Sequence, residues 1–385
     1  MERYSKKILL ICTGAYHTDG GIAALNRLVI QAILEKGYSL DIFSLVEKET
    51  TIDAHSLRSG AQVHCRVFAG NKYLFTLAVW WVILHNSYTY VCVDHVNLAS
   101  ILAPLSWLKH CKYIVWLCGV EVFPPRPDRE GRLGLKWAWK RLAISEFTRQ
   151  SVSHRFPNLS VEVCDLSLDP VRHANILQQA PIPSSFSAIV LKASDGSHSE
   201  LGDQVVLHVG RMTSWERYKG QESLIRAFPM IYQHNPDVQL VLAGQGEDMP
   251  RLKGLTQTLS SAMQARIFFP GYVLDDLLDQ IYQKCYVFAM PSIGEGFGLV
   301  YLEAMIRAKA CLGGRVDATP YVVHDGLTGL LVEDPKSPEQ VAEALNWFLS
   351  HPEETRCMGL AGYNLVRSYY LFPHFQERFW KAVLD

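Results

Sequence analysis

The stretch Met290–Ala304, M-P-S-I-G-E-G-F-G-L-V-Y-L-E-A, constrains this chain more than any other. The apolar run Tyr286–Met290 reads as a buried strand, Pro291 and Ser292 end it, three glycines follow, and Leu299–Met305 has helical spacing. Strand, glycine loop and helix in direct succession form the repeating unit of a parallel α/β sheet. Gly294, Gly296 and Gly298 admit backbone conformations closed to residues with a Cβ and let a ligand approach the first N–H groups of the helix. Such a terminus attracts phosphate. Glu295 lies in the loop and Glu303 about two turns into the helix, at roughly 3.6 residues per turn, so both can point toward one end of the sheet. Two carboxylates there suit sugar hydroxyls. Read without a ligand, the same residues are a tight turn flanked by solvated acids.

The remainder repeats the α/β theme twice, and a length of 385 residues suits two domains better than one core. Lys7–Thr13 reads as a strand, Gly14–Gly21 as a loop, and Ile22, Leu25, Leu28, Val29, Ala32 and Ile33 as one face of a helix ended by Gly37. Further strands are expected at Ser39–Val46, Tyr88–Val93 and Lys112–Leu117, the last two ending in D-H-V-N and C-G-V-E. Strand carboxyl ends are where open α/β sheets build their sites. From Ala180 to Gly202 proline, serine and glycine predominate, which reads as a linker and surface loop. Strands follow at Val205–Val209, Val238–Ala243, Ile267–Phe269 and Ala310–Gly313.

The E-G-F-G-L-V-Y-L-E-A run closely resembles the E-x7-E motif of the retaining glycosyltransferases of family 4. G-R-M-T-S-W-E-R-Y-K-G resembles the family's G-R-x(n)-K-G segment, P-G-Y-V its base-contacting segment, and V-H-D-G-L-T-G-L-L-V its late turn. The resemblance implies a GT-B fold, two Rossmann-like domains facing a central cleft. Its expected parts are an acceptor-binding domain over 1–180, a linker and loop over 181–204, a donor domain over 205–370, and a helix over 371–385 crossing back to the first domain. It further implies that Glu295 positions the donor sugar and that Glu303 binds ribose hydroxyls. Arg211 and Lys219 would neutralise the leaving diphosphate with the amides of Gly296, Phe297, Gly298 and Leu299, and Tyr272 and Val273 would hold the base. Gly20 and Gly21 resemble the loop through which the first domain approaches the donor phosphates. Fixed cations and oriented N–H groups can stabilise a departing diphosphate without a metal.

Two departures stand out. Cys118 occupies the position of the family's His-Gly-x-Glu histidine, leaving His95 on the neighbouring strand as a substitute or as a structural hydrogen-bonding residue. At Arg307–Ala310 the chain reads R-A-K-A where the family has small-Gly-Lys-Pro. The segment L-A-I-S-E-F-T-R-Q-S-V resembles the family's strand and helix start around a serine, here Ser145, with Glu146 in the first turn.

The activity implied is transfer of a hexose-type sugar from a UDP- or GDP-linked donor to a glycan, lipid-linked or small-molecule hydroxyl, with retention, in cell-surface polysaccharide or glycoconjugate synthesis. The nucleotide sugar is a co-substrate, and no cofactor or metal is expected. A non-catalytic subunit that binds nucleotide sugar and regulates a partner is the alternative, prompted by Cys118. A net charge of −1 with 49% apolar residues carries no basic excess for a nucleic-acid partner. Nine scattered cysteines without a C-x-x-C pair, and an N-terminus without a leader pattern, fit reduced thiols in the cytoplasm. Leu74–Leu84 is uncharged and apolar but only about half of the ~20 residues a spanning helix needs, so it is expected to lie buried against the first sheet. Pro124–Arg141 carries Arg126, Arg129, Arg132, Lys136, Lys140 and Arg141 around Trp137 and Trp139. Two readings stand for it: a peripheral contact with the anionic inner face of the plasma membrane, or a solvated helix whose tryptophans pack inward.

Overall fold

The computed structural model describes residues 7–16, 18, 20–49, 62–105, 111–119, 129–177 and 188–385. The N-terminal residues 1–6, Val120 and Glu121 of C-G-V-E, Arg126 and linker residues 181–187 lie outside these, as do the side chains of Arg129 and Arg132. The chain divides into two compact units, Met1–His173 with Tyr370–Asp385, and Ala174–Tyr369.

The first unit is built on a seven-stranded sheet: β1 (Lys7–Cys12), β2 (Ser39–Ser44), β3 (Val63–Val67), β4 (Tyr90–Val93), β5 (Tyr113–Leu117), β6 (Lys140–Ala143) and β7 (Glu162–Val163), in the order β3-β2-β1-β4-β5-β6-β7. All its pairings are parallel. The central strands K-I-L-L-I-C and Y-I-V-W-L are apolar throughout because both faces of a parallel sheet are covered. Strand β3 escaped the sequence reading because it is an edge strand, V-H-C-R-V, with no fully buried residue. The helix Phe372–Leu384 belongs to this unit. Its Trp380 Nε1 donates to the Ala32 carbonyl at 3.2 Å and its ring stacks on Tyr38 at 5.4 Å, while Phe375 and Phe379 flank Trp116.

Lys72–His85 is indeed a helix, capped by Asn71, whose side chain accepts from Leu74 N–H at 3.1 Å. The burial expected against the first sheet holds for one stripe. Only Phe75, Val79 and Ile83 are enclosed, since a helix laid on a sheet covers a single stripe.

The second unit carries β10 (Val205–Val209), β11 (Gln239–Ala243), β12 (Ile267–Gly271), β13 (Val287–Met290), β14 (Ala310–Gly314) and β15 (Gly329–Val332), ordered β12-β11-β10-β13-β14-β15 and wholly parallel. Ahead of them, inside the stretch read as linker and loop, β8 (Val190–Lys192) and β9 (His198–Glu200) form an antiparallel hairpin. Asp195 accepts from the Ser197 N–H at 2.9 Å and Gly196 has φ +92°, so the D-G pair is a hairpin turn that the composition of the segment concealed. Ser194 N–H then donates to the Ile267 carbonyl at 2.8 Å, fastening the hairpin to the edge strand.

Candidate functional site

Sheet order alone locates the site of the second unit. The chain leaves β10 for β11 and β12, then returns past β10 to β13, so the direction of winding reverses between β10 and β13. The loops after these two strands diverge at the carboxyl edge, the usual place for a ligand in an open α/β sheet. They are Gly210–Gly220 and Pro291–Gly298.

The first loop winds into a short 3-10 turn, Ser214–Lys219, and ends at Gly220, which has φ +86°. A Cβ on Gly220 would sit 2.4 Å from the Pro291 carbonyl oxygen, so this close approach of the two loops admits glycine alone. Ile293 N–H donates to the Tyr218 carbonyl at 3.0 Å, joining the loops through the backbone. Beside that bond Lys219 Nζ donates to Glu295 Oε1 at 2.6 Å, with side-chain exposures of 14% and 12%. Burial works against the Lys219 ammonium, but the Glu295 carboxylate, with Tyr218 and Glu216 nearby, holds its pKa above the ordinary lysine value. The charge is therefore secure at neutral pH. The stability it adds is full below the ordinary lysine pKa and is lost only as pH rises through the higher native one. An ammonium has three donors, so the Glu295 bond leaves two for phosphate oxygens.

Arg211 is arranged differently. Its guanidinium donates to Glu216 Oε1 at 2.8 Å and lies 5.3 Å from the Trp215 ring centre, with half its side chain exposed. Glu216 is buried and also accepts from Thr213 Oγ1 at 2.9 Å, so it acts as a fixed anchor for the arginine.

Asp317, which the sequence reading did not select, holds the glycine loop. It is buried; one carboxylate oxygen accepts from the Ser292 hydroxyl and from Glu295 N–H at 2.8 Å, the other from Thr319 N–H at 2.9 Å. Burial raises its pKa, against these donors. The readable signal was D-A-T, an aspartate capping its own turn two residues on. Ala318 N–H donates to the Glu295 carbonyl at 3.1 Å, so Glu295 is fixed on both sides of its peptide. Gly296 and buried Phe297 follow, and Gly298, at φ +93°, turns the chain into the helix that begins at Leu299.

Glu303 lies in that helix, Leu299–Met305, where its Oε2 accepts from the Tyr282 hydroxyl at 3.0 Å. Tyr282 belongs to the helix Asp275–Lys284, which follows directly on Tyr272 and Val273 after β12. Tyr272 is half-exposed and Val273 is buried. Arg307, just past the helix Leu299–Met305, donates through Nε to Asp279 Oδ1 at 2.6 Å and through Nη1 to the Glu303 carbonyl, tying the turn to the helix Asp275–Lys284. In the divergent R-A-K-A segment, Ala308 takes φ +54° where the family segment has glycine, so the turn persists with a strained alanine.

Behind Lys219, fully buried His208 bonds through Nε2 to the Lys219 carbonyl at 3.1 Å. Burial is the main force pushing its pKa down, to about 4. Because the unfolded histidine titrates near 6.5, the unfolded chain binds the extra proton first and the native state loses stability as pH falls from 6.5 to 4. The loss amounts to about 3 kcal/mol. Urea unfolding at pH 7 and pH 4.5 is expected to show it, and His208→Asn to flatten the dependence; an equal dependence in the variant would refute this.

In the first unit the winding reverses between β1 and β4. Gly20, at φ 118°, precedes the helix Gly21–Glu35, and Gly21 is its first residue. The loop before them is held by three side chains that the sequence reading did not single out. Asp94 accepts from Thr13 N–H and hydroxyl, each at 2.7 Å, and from Asn26 at 2.8 Å; Glu47 accepts from Ala15 N–H at 2.9 Å and Tyr16 N–H at 2.6 Å. His95 caps the short helix Val96–Ala99, Nδ1 accepting from Asn97 N–H at 3.1 Å, so a neutral ring carries its proton on Nε2. Cys118 Sγ donates to the Asp94 carbonyl at 3.3 Å. Thus Gly20, Gly21 and His95 gather at the reversal point of the first sheet, and the other selected residues at the edge of the second. Ser145 caps the helix Glu146–Arg155, accepting from Thr148 N–H at 3.2 Å.

The two tryptophans of the basic segment differ in their surroundings, beginning with Trp139. Its ring stacks on Tyr90 at 5.4 Å, with Lys112 and Lys140 over it, so it packs against protein. Trp137 is 46% exposed.

Residues 203–351 match the family described as Glycosyl transferases group 1. Among curated relatives, the alpha-maltose-1-phosphate synthase of Mycolicibacterium smegmatis is 34% identical over 46% of this chain and 47% of its own. The GDP-mannose-dependent alpha-(1-6)-phosphatidylinositol monomannoside mannosyltransferase of the same organism is 30% identical over 57% of this chain and 55% of its own. The chain thus spans about half the length of these relatives. Among solved structures, Anabaena HepE in complex with UDP and glucose superposes with a TM-score of 0.74 at 17% identity, covering 98% of this chain and 99% of that one. Sucrose-phosphate synthase from Thermosynechococcus elongatus gives 0.74 at 18% identity, covering 98% of each. Residues 203–351 are accordingly a glycosyl transferases group 1 domain, in a chain with the GT-B fold.

Proposed function

We propose that this chain is a retaining hexosyltransferase that takes its sugar from a UDP- or GDP-linked donor and passes it to a hydroxyl of a glycan, lipid-linked or small-molecule acceptor. The observation that carries the reading is the Lys219–Glu295 pair, which spans the two loops at the reversal point of the second sheet. In this reading Lys219 and Arg211 meet the diphosphate, and charge growing on the leaving group strengthens bonds from donors already held in place. The amides of Gly296–Leu299 assist them. Glu295 accepts from sugar hydroxyls, its backbone fixed by Asp317. Glu303, oriented by Tyr282, accepts from the ribose, and Tyr272 and Val273 frame the base. His95, as an Nε2–H donor, serves the sugar or acceptor side. The relatives support the reaction class: HepE binds UDP and glucose, and a mannosyltransferase uses GDP-mannose.

Turnover of UDP- or GDP-sugars by the purified chain tests the proposal. Donor binding without hydrolysis or transfer in any acceptor screen would favour the regulatory subunit instead. Activity is expected to persist undiminished in EDTA, since Lys219 and Arg211 supply the positive charge; loss restored by Mg²⁺ would contradict that. Glu303→Gln is expected to weaken both the nucleotide sugar and the bare nucleoside diphosphate by about 1–3 kcal/mol, a lost charged hydrogen bond. Calorimetry with UDP and GDP checks it, and unchanged affinity would remove Glu303 from the ribose.

A further inference from the structure

We propose that the first unit docks on an anionic lipid surface through the outer face of the helix Lys72–His85. That helix, K-Y-L-F-T-L-A-V-W-W-V-I-L-H, is apolar almost all round, a pattern that belongs to an enclosed helix. Only Phe75, Val79 and Ile83 are enclosed. With about 100° between successive residues, Tyr73, Leu77, Trp80 and Leu84 share one outward stripe, and Leu74 and Trp81 border it. Tyr73 is 86% exposed, Leu77 62% and Trp81 64%. A helix facing only water would carry lysine and glutamate here, and a continuous apolar stripe marks a contact surface.

The stripe has a second ledge. Trp80 Nε1 donates to the Ile101 carbonyl at 2.9 Å, which lays its ring on the segment Val96–Leu102. The helix Arg129–Trp137 packs on that same segment, its Gly134 so near that a Cβ would lie 2.7 Å from the Ala99 backbone. Leu133 and Trp137, one turn apart on this second helix, are both exposed.

Charge selects the occupant. Among the described residues of 62–105 and 111–119 the one carboxylate, Asp94, is buried, whereas Arg66, Lys72 and Lys112 are cationic. Lys136 adds a cation 5.9 Å from the Trp137 ring centre. Aromatic and leucine side chains in segments whose described charges are cationic at the surface suit the headgroup layer of an anionic bilayer. A second copy of the chain applied through the same face would set like charges opposite one another.

The test uses the full chain and needs no turnover, so it fails or succeeds apart from the transferase reading. The protein is expected to co-sediment with phosphatidylcholine vesicles that contain phosphatidylglycerol, weakly with phosphatidylcholine alone, and less in high salt. Leu77→Glu with Trp81→Glu should lower the bound fraction by about tenfold or more, with melting temperature and UDP or GDP affinity unchanged. Trp137→Ser alone should lower it less, as an independent variant at the second ledge. Binding that survives the double variant, or no preference for the anionic vesicles, overturns the proposal. So does a lipid-free dimer that the double variant dissociates, which would assign the face to a second copy.

Discussion

Replacing Glu295 with glutamine is expected to lower turnover by about hundredfold or more while bare UDP or GDP still binds. The backbone at Glu295 stays pinned by Asp317 and Ala318, so the variant changes the charge of one side chain and leaves the loop in place. Glutamine keeps one oxygen for Lys219, and the ammonium, relieved of its carboxylate, turns more fully to the diphosphate. Burial then acts on Lys219 without its main counterweight, and its pKa falls. Glu295→Ala, which leaves a nearly buried ammonium alone, is expected to cost about 3 kcal/mol of stability as well. Steady-state kinetics with UDP- and GDP-sugars, beside calorimetry with the bare diphosphates, separates the effects. Should Glu295→Gln abolish diphosphate binding while Glu303→Gln leaves it intact, the two roles are reversed.

Gly220→Ala is expected to destabilise the second unit by more than about 3 kcal/mol and to remove donor binding with it. The new Cβ would meet the Pro291 carbonyl oxygen at 2.4 Å and Pro291 Cγ at 2.8 Å, both part of the opposing loop. Neither can yield without parting Lys219 from Glu295. Gly326, in the same unit, isolates the conformational part of the effect: its φ is +72°, yet a Cβ there meets nothing within 4 Å. Gly326→Ala should therefore cost only about 1 kcal/mol, the strain of a left-handed alanine. Thermal unfolding of the two variants makes the comparison. Equal losses would show that the loop contact contributes nothing.

The loops Gly210–Gly220 and Pro291–Gly298 were legible because each is written contiguously. Tyr286–Met290 enters the glycine loop as an apolar strand, and Val205–Val209 enters the Gly210–Gly220 loop in the same way. A buried parallel strand is apolar on both faces, and a strand-to-helix turn needs glycine where the backbone turns left-handed, so both leave local marks. The hairpin β8–β9 left a mark too, its D-G turn, obscured by the proline- and serine-rich residues around it.

What the sequence by itself determined was the two runs of α/β units and the residue types at their carboxyl ends. What only the tertiary structure decided was which of those residues meet. Lys219 and Glu295 are 76 positions apart and Asp317 reaches back 22 to the Glu295 N–H; such partnerships follow from strand order, which no local pattern encodes. Trp137 and Trp139, two residues apart, part company because one points outward from its helix while the other packs on Tyr90 of β4. Likewise Leu74–Leu84 declared itself apolar on every side, but how much of a helix is covered depends on the width of the surface beneath it. One sheet shields one stripe, and the rest of that helix remains exposed.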